Sequence, residues 1–153
     1  RCLLENIQLR IFQQCLRSQN KNLEEEYISL KIDHEIFNFS HSILNYFSKV
    51  DLVITRSGSS ILAELLNCNI PIISVPLPSS ADNHQLKNAN FFEKKGYSFL
   101  VEEKEIEKKL FPLIKSIHED KEMLNQMKKK QNNYSDRNIF KNINSQINDL
   151  IND

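Results

Sequence analysis

Two polar segments, each following a short apolar run, hold the side chains best suited to bind a ligand. The first, "RSGSSILAELL" at 56–66, begins after the apolar run 52–55 and contains Gly58, one of only two glycines in the chain. The second, "PLPSSADNHQLKNA" at 76–89, follows the apolar run 70–75. Because ligands bind at the carboxyl ends of strands in parallel α/β sheets, both segments stand where a site is expected.

The first segment suits a nucleotide. A helix that begins near Ser59 presents free N–H groups and the positive end of its dipole, which favour phosphate. Gly58 can adopt a positive φ and lets a ligand approach the backbone, while Ser59 and Ser60 leave room for it. Glu64, further along the same helix, can accept two hydrogen bonds from a ribose diol. A serine N-cap followed by a helix-stabilising glutamate explains the same residues. This segment alone therefore does not distinguish a ligand site from a purely structural helix start.

The second segment suits a sugar, because amide side chains both donate and accept hydrogen bonds. Five polar residues cluster where a helix is predicted to start: Asp82, Asn83, His84, Gln85 and Asn88. An N-cap role explains Asp82 but not the other four. His84 has no partner histidine at ligand spacing, and no Asp-x-Asp pair occurs in the sequence, so we expect no metal cofactor.

Strands alternating with helices predict an α/β fold with a parallel sheet. Five runs are β-like, at 8–12, 27–32, 52–55, 70–75 and 98–101. The third and fourth are continuously apolar, as in strands buried on both faces. Apolar residues with helical spacing predict helices before and after 52–55 and another before Gly96. We expect Gly96 to be the residue that follows the end of that last helix.

The C-terminal third is predicted to be helical from Glu103 onward. Pro112 would cost about 3 kcal/mol inside a helix, so a kink or a new helix start is expected there. A last amphipathic helix is predicted from one apolar stripe, which we interpret as core packing: Ile139, Phe140, Ile143, Ile147, Leu150 and Ile151.

Composition excludes several classes of protein. The chain of 153 residues balances 20 Lys and Arg against 20 Asp and Glu, without the basic excess of a nucleic-acid binder. Three cysteines, Cys2, Cys15 and Cys68, match neither a zinc site nor a disulfide framework, which indicates reduced thiols in the cytoplasm. No apolar run approaches the roughly 18 residues of a membrane span.

Three motifs together resemble the C-terminal nucleotide-sugar-binding domain of the MurG family: "DLVITRSGSSILAE", "PIISVPLP" and "DNHQLKNA". The resemblance, from about Phe12 to the C-terminus, implies a Rossmann-like half of a GT-B glycosyltransferase. It implies inverting transfer of N-acetylglucosamine from UDP-N-acetylglucosamine to lipid I, giving lipid II for peptidoglycan, without a metal. It also implies a peripheral protein at the cytoplasmic face of the bacterial membrane.

The resemblance assigns donor contacts by position. Glu64 corresponds to the family glutamate on the ribose hydroxyls, and Phe39 and Ser40 fall where the family places an aromatic ring and a backbone amide against uracil. The helix-start segment near the donor's phosphates and sugar corresponds to Gly58, Ser59 and Ser60. The polar positions that face the N-acetylglucosamine hydroxyls correspond to His84, Gln85 and Asn88. Arg56 matches a family position, with a loop-bracing role as the alternative to a functional one.

The family's second domain opens with a strand and a Gly-rich loop that this sequence lacks. We therefore expect 1–153 to be a partial donor-binding domain without the N-terminal acceptor domain. Such a fragment should be inactive alone, and loss of the first, central strand should leave a gap in the sheet. The alternatives are a separate nucleotide-sugar-binding subunit of a split transferase and a non-catalytic α/β interaction module.

Overall fold

Five parallel strands form two sheets in the computed structural model, which describes residues 2–39 and 43–134. One sheet has two strands and the other has three, and they belong to two compact units, Arg1–Val50 and Asp51–Asp153. A parallel sheet flanked by helices confirms the predicted fold class. The gap expected from a missing first strand stays a prediction.

The first unit contains strand β1 (Arg10–Gln14), helix α1 (Asn20–Ser29), strand β2 (Asp33–Phe37) and helix α2 (Leu44–Phe47). β1 and β2 pair in parallel over their whole lengths, from Arg10 opposite Asp33 to Gln14 opposite Phe37. Aromatic packing holds α2 against this sheet, with the rings of Phe37 and Tyr46 stacked at 3.9 Å between centroids.

The strand predicted at 27–32 is wrong. Residues up to Ser29 complete α1, and Lys31, at a φ of 53°, makes the turn before β2. Leu23 and Tyr27 lie one turn apart on α1 and are both half-buried, so this face of the helix packs inward. The Tyr27 hydroxyl donates a hydrogen bond to the side-chain oxygen of Gln13 at the end of β1, which ties the helix to the sheet.

The second unit alternates strands and helices up to α5, which α6 follows directly. Its elements are β3 (Val53–Thr55), α3 (Ser59–Asn67), β4 (Ile72–Ser74), α4 (His84–Lys95), β5 (Phe99–Leu100), α5 (Ile106–Glu119) and α6 (Glu122–Asn132). The strand order is β3-β4-β5, and all pairs are parallel. β4 is buried along its whole length, as the continuous apolar run predicted.

The core of this unit lies on both faces of β4. Leu62 and Leu65 of α3 and Ile72 and Ile73 of β4 are 0% exposed. Val75, Val101 and Ile117 continue the core with Ile73, and half-buried apolar side chains of α5 and α6 pack against them. Full burial of each large aliphatic side chain contributes about 1.5–3 kcal/mol, so this core is the main source of stability in the unit.

The predictions made for Gly96 and Pro112 concern helix boundaries and have different outcomes. Gly96 ends α4 in the left-handed region at a φ of 73°, which confirms its predicted role. Of the kink or new helix start expected at Pro112, the new start is wrong, because α5 continues through this proline, and the kink stays a prediction. Pro112 and Lys108, whose carbonyl loses its helical partner, are both exposed, so water can bond the free carbonyl.

Gln131 closes the far end of the second unit. Its side chain is 0% exposed, and Nε2 donates to the carbonyl oxygens of Ile70, at 2.9 Å, and Tyr97, at 2.8 Å. The predicted apolar stripe from Ile139 to Ile151 lies outside the described residues. Within 2–39 and 43–134, no helix has the length and apolar character needed to cross a membrane.

Candidate functional site

The two polar segments leave the sheet at the same edge. Thr55 at the end of β3 is the register partner of Ser74 at the end of β4, and the Val75 N–H donates to the Thr55 carbonyl at 2.8 Å. Residues 56–58 and 76–83 therefore start side by side at the carboxyl ends of neighbouring parallel strands. This is the position at which open α/β sheets bind ligands.

The first segment leads into α3 without a side-chain cap. Gly58 is the N-cap residue and has no side chain to bond the first-turn N–H groups. The serine N-cap considered as an alternative is therefore not formed. Uncapped N–H groups at a helix N-terminus favour an anionic ligand group.

Gly58 does not use a positive φ. Its φ is −64° and its ψ is 142°, an extended conformation open to any residue, so the predicted use of left-handed freedom is wrong. A Cβ added at Gly58 would meet only the Ile61 side chain, at an ordinary 3.8 Å. The fold of this unit therefore does not require glycine here, whereas close approach of a ligand would.

Glu64 lies on the open face of α3. Leu62, Leu65 and Leu66 bury the opposite face, and Glu64 is exposed one turn after exposed Ser60. Its carboxylate makes no hydrogen bond or ion pair with any residue in the described part of the chain. The carboxylate is thus free to accept hydrogen bonds from a ligand, and its contact with a ribose stays a prediction.

The second segment makes a left-handed turn before α4. Asp82 and Asn83 have φ values of 49° and 52°, a conformation that Asp and Asn tolerate better than most residues. Asn83, not Asp82, is the N-cap residue of α4, and it makes no side-chain cap bond. His84 is exposed, with Nδ1 at 2.8 Å from the Ala81 carbonyl oxygen, which holds one ring nitrogen and leaves the other to solvent.

Gln85 and Asn88 join the two segments. The Gln85 side-chain oxygen accepts from the backbone N–H groups of Ser57, at 3.2 Å, and Leu77, at 3.0 Å. Asn88 donates through Nδ2 to the Ser57 carbonyl oxygen at 3.1 Å. The structure thus brings these two predicted site residues together with the start of α3, and it adds a bracing role that the sequence had not indicated.

Arg56 provides a second connection. Its Nη1 lies 3.4 Å from the Pro76 carbonyl oxygen and forms an ion pair with Glu103, which follows β5. These contacts support the loop-bracing interpretation of Arg56. Glu103 was missed as a site-edge residue; its place just after the fifth β-like run, at the same sheet edge, was the only available signal.

Phe39 belongs to the first unit, in the segment that follows β2. Its side chain is 76% exposed, which suits a ring that stacks on a ligand. Ser40 lies outside the described residues. The uracil contacts assigned to Phe39 and Ser40 stay predictions.

A shallow cavity of about 220 Å³ lies between α3 and α4. Its wall includes Ser59 and Asn88 from the strand-end segments, together with Ala63, Phe91 and Tyr134. Two site residues therefore border open space.

Comparison with known proteins identifies the family of the chain. The family described as "Glycosyltransferase family 28 C-terminal domain" matches residues 2–147. Two similar proteins, from Pelagibacter ubique (strain HTCC1062) and Rickettsia bellii (strain RML369-C), share the name UDP-N-acetylglucosamine--N-acetylmuramyl-(pentapeptide) pyrophosphoryl-undecaprenol N-acetylglucosamine transferase. The first is 38% identical over 152 residues, and the second is 34% identical over 114.

The matches cover unequal shares of the chains. The Pelagibacter alignment spans 99% of this chain but 43% of the relative, and the Rickettsia alignment spans 71% and 32%. The crystal structure of Acinetobacter baumannii MurG matches with a TM-score of 0.73 at 22% identity, over 84% of this chain and 38% of that one. The chain thus spans less than half the length of these relatives, and the structural match shows a shared fold.

Proposed function

The chain belongs to the glycosyltransferase family 28 C-terminal domain family, and we propose that it is the donor-binding part of an N-acetylglucosaminyltransferase. The donor would be UDP-N-acetylglucosamine and the acceptor lipid I, with inversion at the anomeric carbon, and the product would be lipid II for peptidoglycan. The names of the similar proteins from Pelagibacter and Rickettsia support this substrate assignment. The acceptor would be held by an N-terminal domain outside these 153 residues.

One observation supports donor binding more than any other: an uncapped helix start and a pair of amide side chains are fixed against each other. Gln85 and Asn88 bond both backbone groups of Ser57, one residue before the N-cap of α3. A diphosphate can bind the N–H groups of such a helix start, and sugar hydroxyls can bind neighbouring donors and acceptors. A nucleotide sugar presents both needs within one molecule.

Each residue then has a distinct role. Gly58, Ser59 and Ser60 leave room for the phosphates at the start of α3. Glu64 accepts hydrogen bonds from the ribose hydroxyls, and the amides of α4, with His84 beside them, contact the N-acetylglucosamine hydroxyls. Phe39 and the Ser40 backbone amide are proposed for uracil.

The proposal needs no metal cofactor, because backbone N–H groups and the helix dipole supply the positive potential at the phosphates. It places the complete enzyme at the cytoplasmic face of the bacterial membrane, where lipid I is available. The proposed partners are small molecules and lipid I; no role with nucleic acid is proposed.

Calorimetric titration of the purified chain with UDP tests donor binding, with CMP as the control for base recognition. We expect UDP to bind and UDP-N-acetylglucosamine to bind more tightly. Absence of UDP binding to the folded chain would contradict the proposal and favour a non-catalytic interaction module.

A second experiment tests the reaction. The chain alone should not transfer sugar to a lipid I analogue, since catalysis requires both substrates in one cleft. A chimaera in which the chain replaces the matching C-terminal region of the Pelagibacter relative should restore transfer. A chimaera that folds and binds UDP but transfers nothing would contradict the assigned acceptor.

A further inference from the structure

We propose that Gln85 meets the donor sugar only as a hydrogen-bond donor, so that Asn88 must supply the acceptor of this amide pair. The inference rests on the proposed function, which provides the sugar. It goes further by assigning a polarity to each side chain and a positioning role to the Gln85 carbonyl.

The backbone fixes which end of the Gln85 amide is oxygen. The atom that lies 3.2 Å from the Ser57 nitrogen and 3.0 Å from the Leu77 nitrogen faces two N–H donors. An NH₂ group there would oppose both donors, so only the carbonyl fits. Both acceptor positions of that oxygen are then occupied, and a ligand can meet only the Nε2 protons, which bond no residue of the described ranges.

The same reasoning gives Asn88 the reverse orientation. Its atom at 3.1 Å from the Ser57 carbonyl oxygen must carry a proton, because two carbonyl oxygens at that distance repel. The Asn88 carbonyl oxygen is left without a partner among the described residues and is the free acceptor. Gln85 and Asn88 are three residues apart on α4, so they share a helix face.

The pair also controls the start of α3. Gln85 bonds the N–H of Ser57 and Asn88 bonds its carbonyl, so the backbone of that residue is held on both sides. Ser57 is 0% exposed, and its Oγ has no partner in the described part of the chain, so these backbone bonds are the polar contacts that hold it. The Gln85 side chain, proposed to contact the sugar, therefore also positions the N-terminus of α3, which is proposed to bind phosphate.

Gln85→Glu separates the two roles. A carboxylate still accepts from the Ser57 and Leu77 N–H groups but cannot donate to a sugar. We expect both amides to keep their protection against hydrogen exchange, while UDP-N-acetylglucosamine affinity falls about 2- to 12-fold more than UDP affinity, the equivalent of one hydrogen bond. Gln85→Leu should lose amide protection as well.

Asn90→Asp is the matched control, because Asn90 is exposed on the same helix and gains the same charge. It should change neither amide protection nor the ratio of the two affinities. Asn88→Asp should behave unlike Gln85→Glu: it sets an oxygen against the Ser57 carbonyl and should lower the thermal midpoint.

The results distinguish this inference from the proposed function. Loss of Ser57 and Leu77 protection in Gln85→Glu would overturn the assigned polarity even if the donor binds normally. Equal loss of UDP and UDP-N-acetylglucosamine affinity would overturn the sugar contact. If neither ligand binds the unmodified chain, the proposed function and the sugar contact fail together, whereas the exchange data still decide the orientation of the amide.

Discussion

The two units of the chain bury their apolar residues very differently. Of the hydrophobic side chains that are buried in the described residues, only Ile7 lies in the first unit, whereas the second unit holds the rest, including Leu62, Leu65, Ile72 and Ile73. β1 and β2 contain charged residues and no fully buried position, while β4 is buried throughout. The second unit should therefore resist local unfolding far longer than the first.

The difference matters for function because the strand-end site lies on the better-packed unit. Loops can hold polar groups in fixed positions only when the elements beneath them are rigid. α3 illustrates this: one face provides core leucines, and the other presents Ser60 and Glu64. The ordering of the site and the packing of the core are thus properties of the same helix.

The largest expected effect comes from Leu62→Ala, which tests the comparison directly. Leu62 is 0% exposed, so its truncation should lower the free energy of unfolding of the second unit by about 2–5 kcal/mol. Denaturant titration with segment-resolved hydrogen exchange measures it. Leu44→Ala is the control: this leucine of α2 is 61% exposed, and its loss should change stability by no more than about 0.5 kcal/mol. Equal effects would refute the contrast between the units.

Gln131→Ala should come next. The change leaves the carbonyl oxygens of Ile70 and Tyr97 buried without their side-chain donor, and each such group costs about 1–3 kcal/mol. Thermal unfolding should show a fall in midpoint of the second unit, with Asn132→Ala as the exposed neighbour control. A midpoint within error of the unmodified chain would mean that water replaces the amide at no cost.

The same contrast explains what the sequence could predict. The continuous apolar runs at 52–55 and 70–75 locate β3 and β4, because burial on both faces leaves a strong pattern. The run 27–32 was wrongly predicted to be a strand, because a short segment of mixed polarity fits a helix or a strand equally well. Long-range contacts such as the Tyr27–Gln13 hydrogen bond then favour the helix. No new helix starts at Pro112, because an exposed helix turn tolerates a missing N–H.

For the site, the sequence located residues but not their bonds. Glu64 and the α4 amides were identified as polar groups at strand ends, where the fold class places a ligand. Gln85 bonds Ser57 and Leu77, and Arg56 pairs with Glu103. These contacts depend on side-chain geometry between residues that are 8 to 47 positions apart in sequence. No local pattern encodes such pairs.

Glu64→Ala should separate function from stability within the second unit. A charged hydrogen bond contributes about 1.5–3 kcal/mol, so UDP affinity should fall roughly 10- to 200-fold. The thermal midpoint should hold, since Glu64 is exposed and alanine favours helices. Calorimetry with UDP and with a 2′,3′-dideoxyribose analogue, which lacks the diol, checks the contact. A loss of the same size for both ligands would place Glu64 away from the ribose.

Gly58→Ala should have a smaller effect, and it should raise stability while weakening UDP binding. Gly58 already has a conformation that alanine adopts, and the new methyl group fits, so stability should rise by about 0.4–1 kcal/mol. The methyl group should nevertheless hinder a ligand at the start of α3 and weaken UDP binding several-fold. Unchanged UDP binding together with raised stability would show that no ligand approaches this backbone.

The smallest effect is expected for the Arg56–Glu103 ion pair, and it tests which contacts brace the site. The two side chains are 49% and 42% exposed, and exposed ion pairs contribute about 0–1 kcal/mol because water and salt screen them. A double-mutant cycle of Arg56→Gln and Glu103→Gln, measured by denaturant titration at low and high salt, gives their coupling energy. We expect a coupling energy below about 1 kcal/mol, and a smaller one at high salt.

UDP-N-acetylglucosamine affinity should change less in the Arg56 and Glu103 variants than in Gln85→Leu. Gln85 bonds two backbone N–H groups, at 3.2 and 3.0 Å. Apart from its ion pair, Arg56 bonds only the Pro76 carbonyl oxygen among the described residues, at a longer 3.4 Å. A coupling well above that limit, or a greater loss of donor affinity than in Gln85→Leu, would make the ion pair rather than the α4 amides the principal brace between the strand ends.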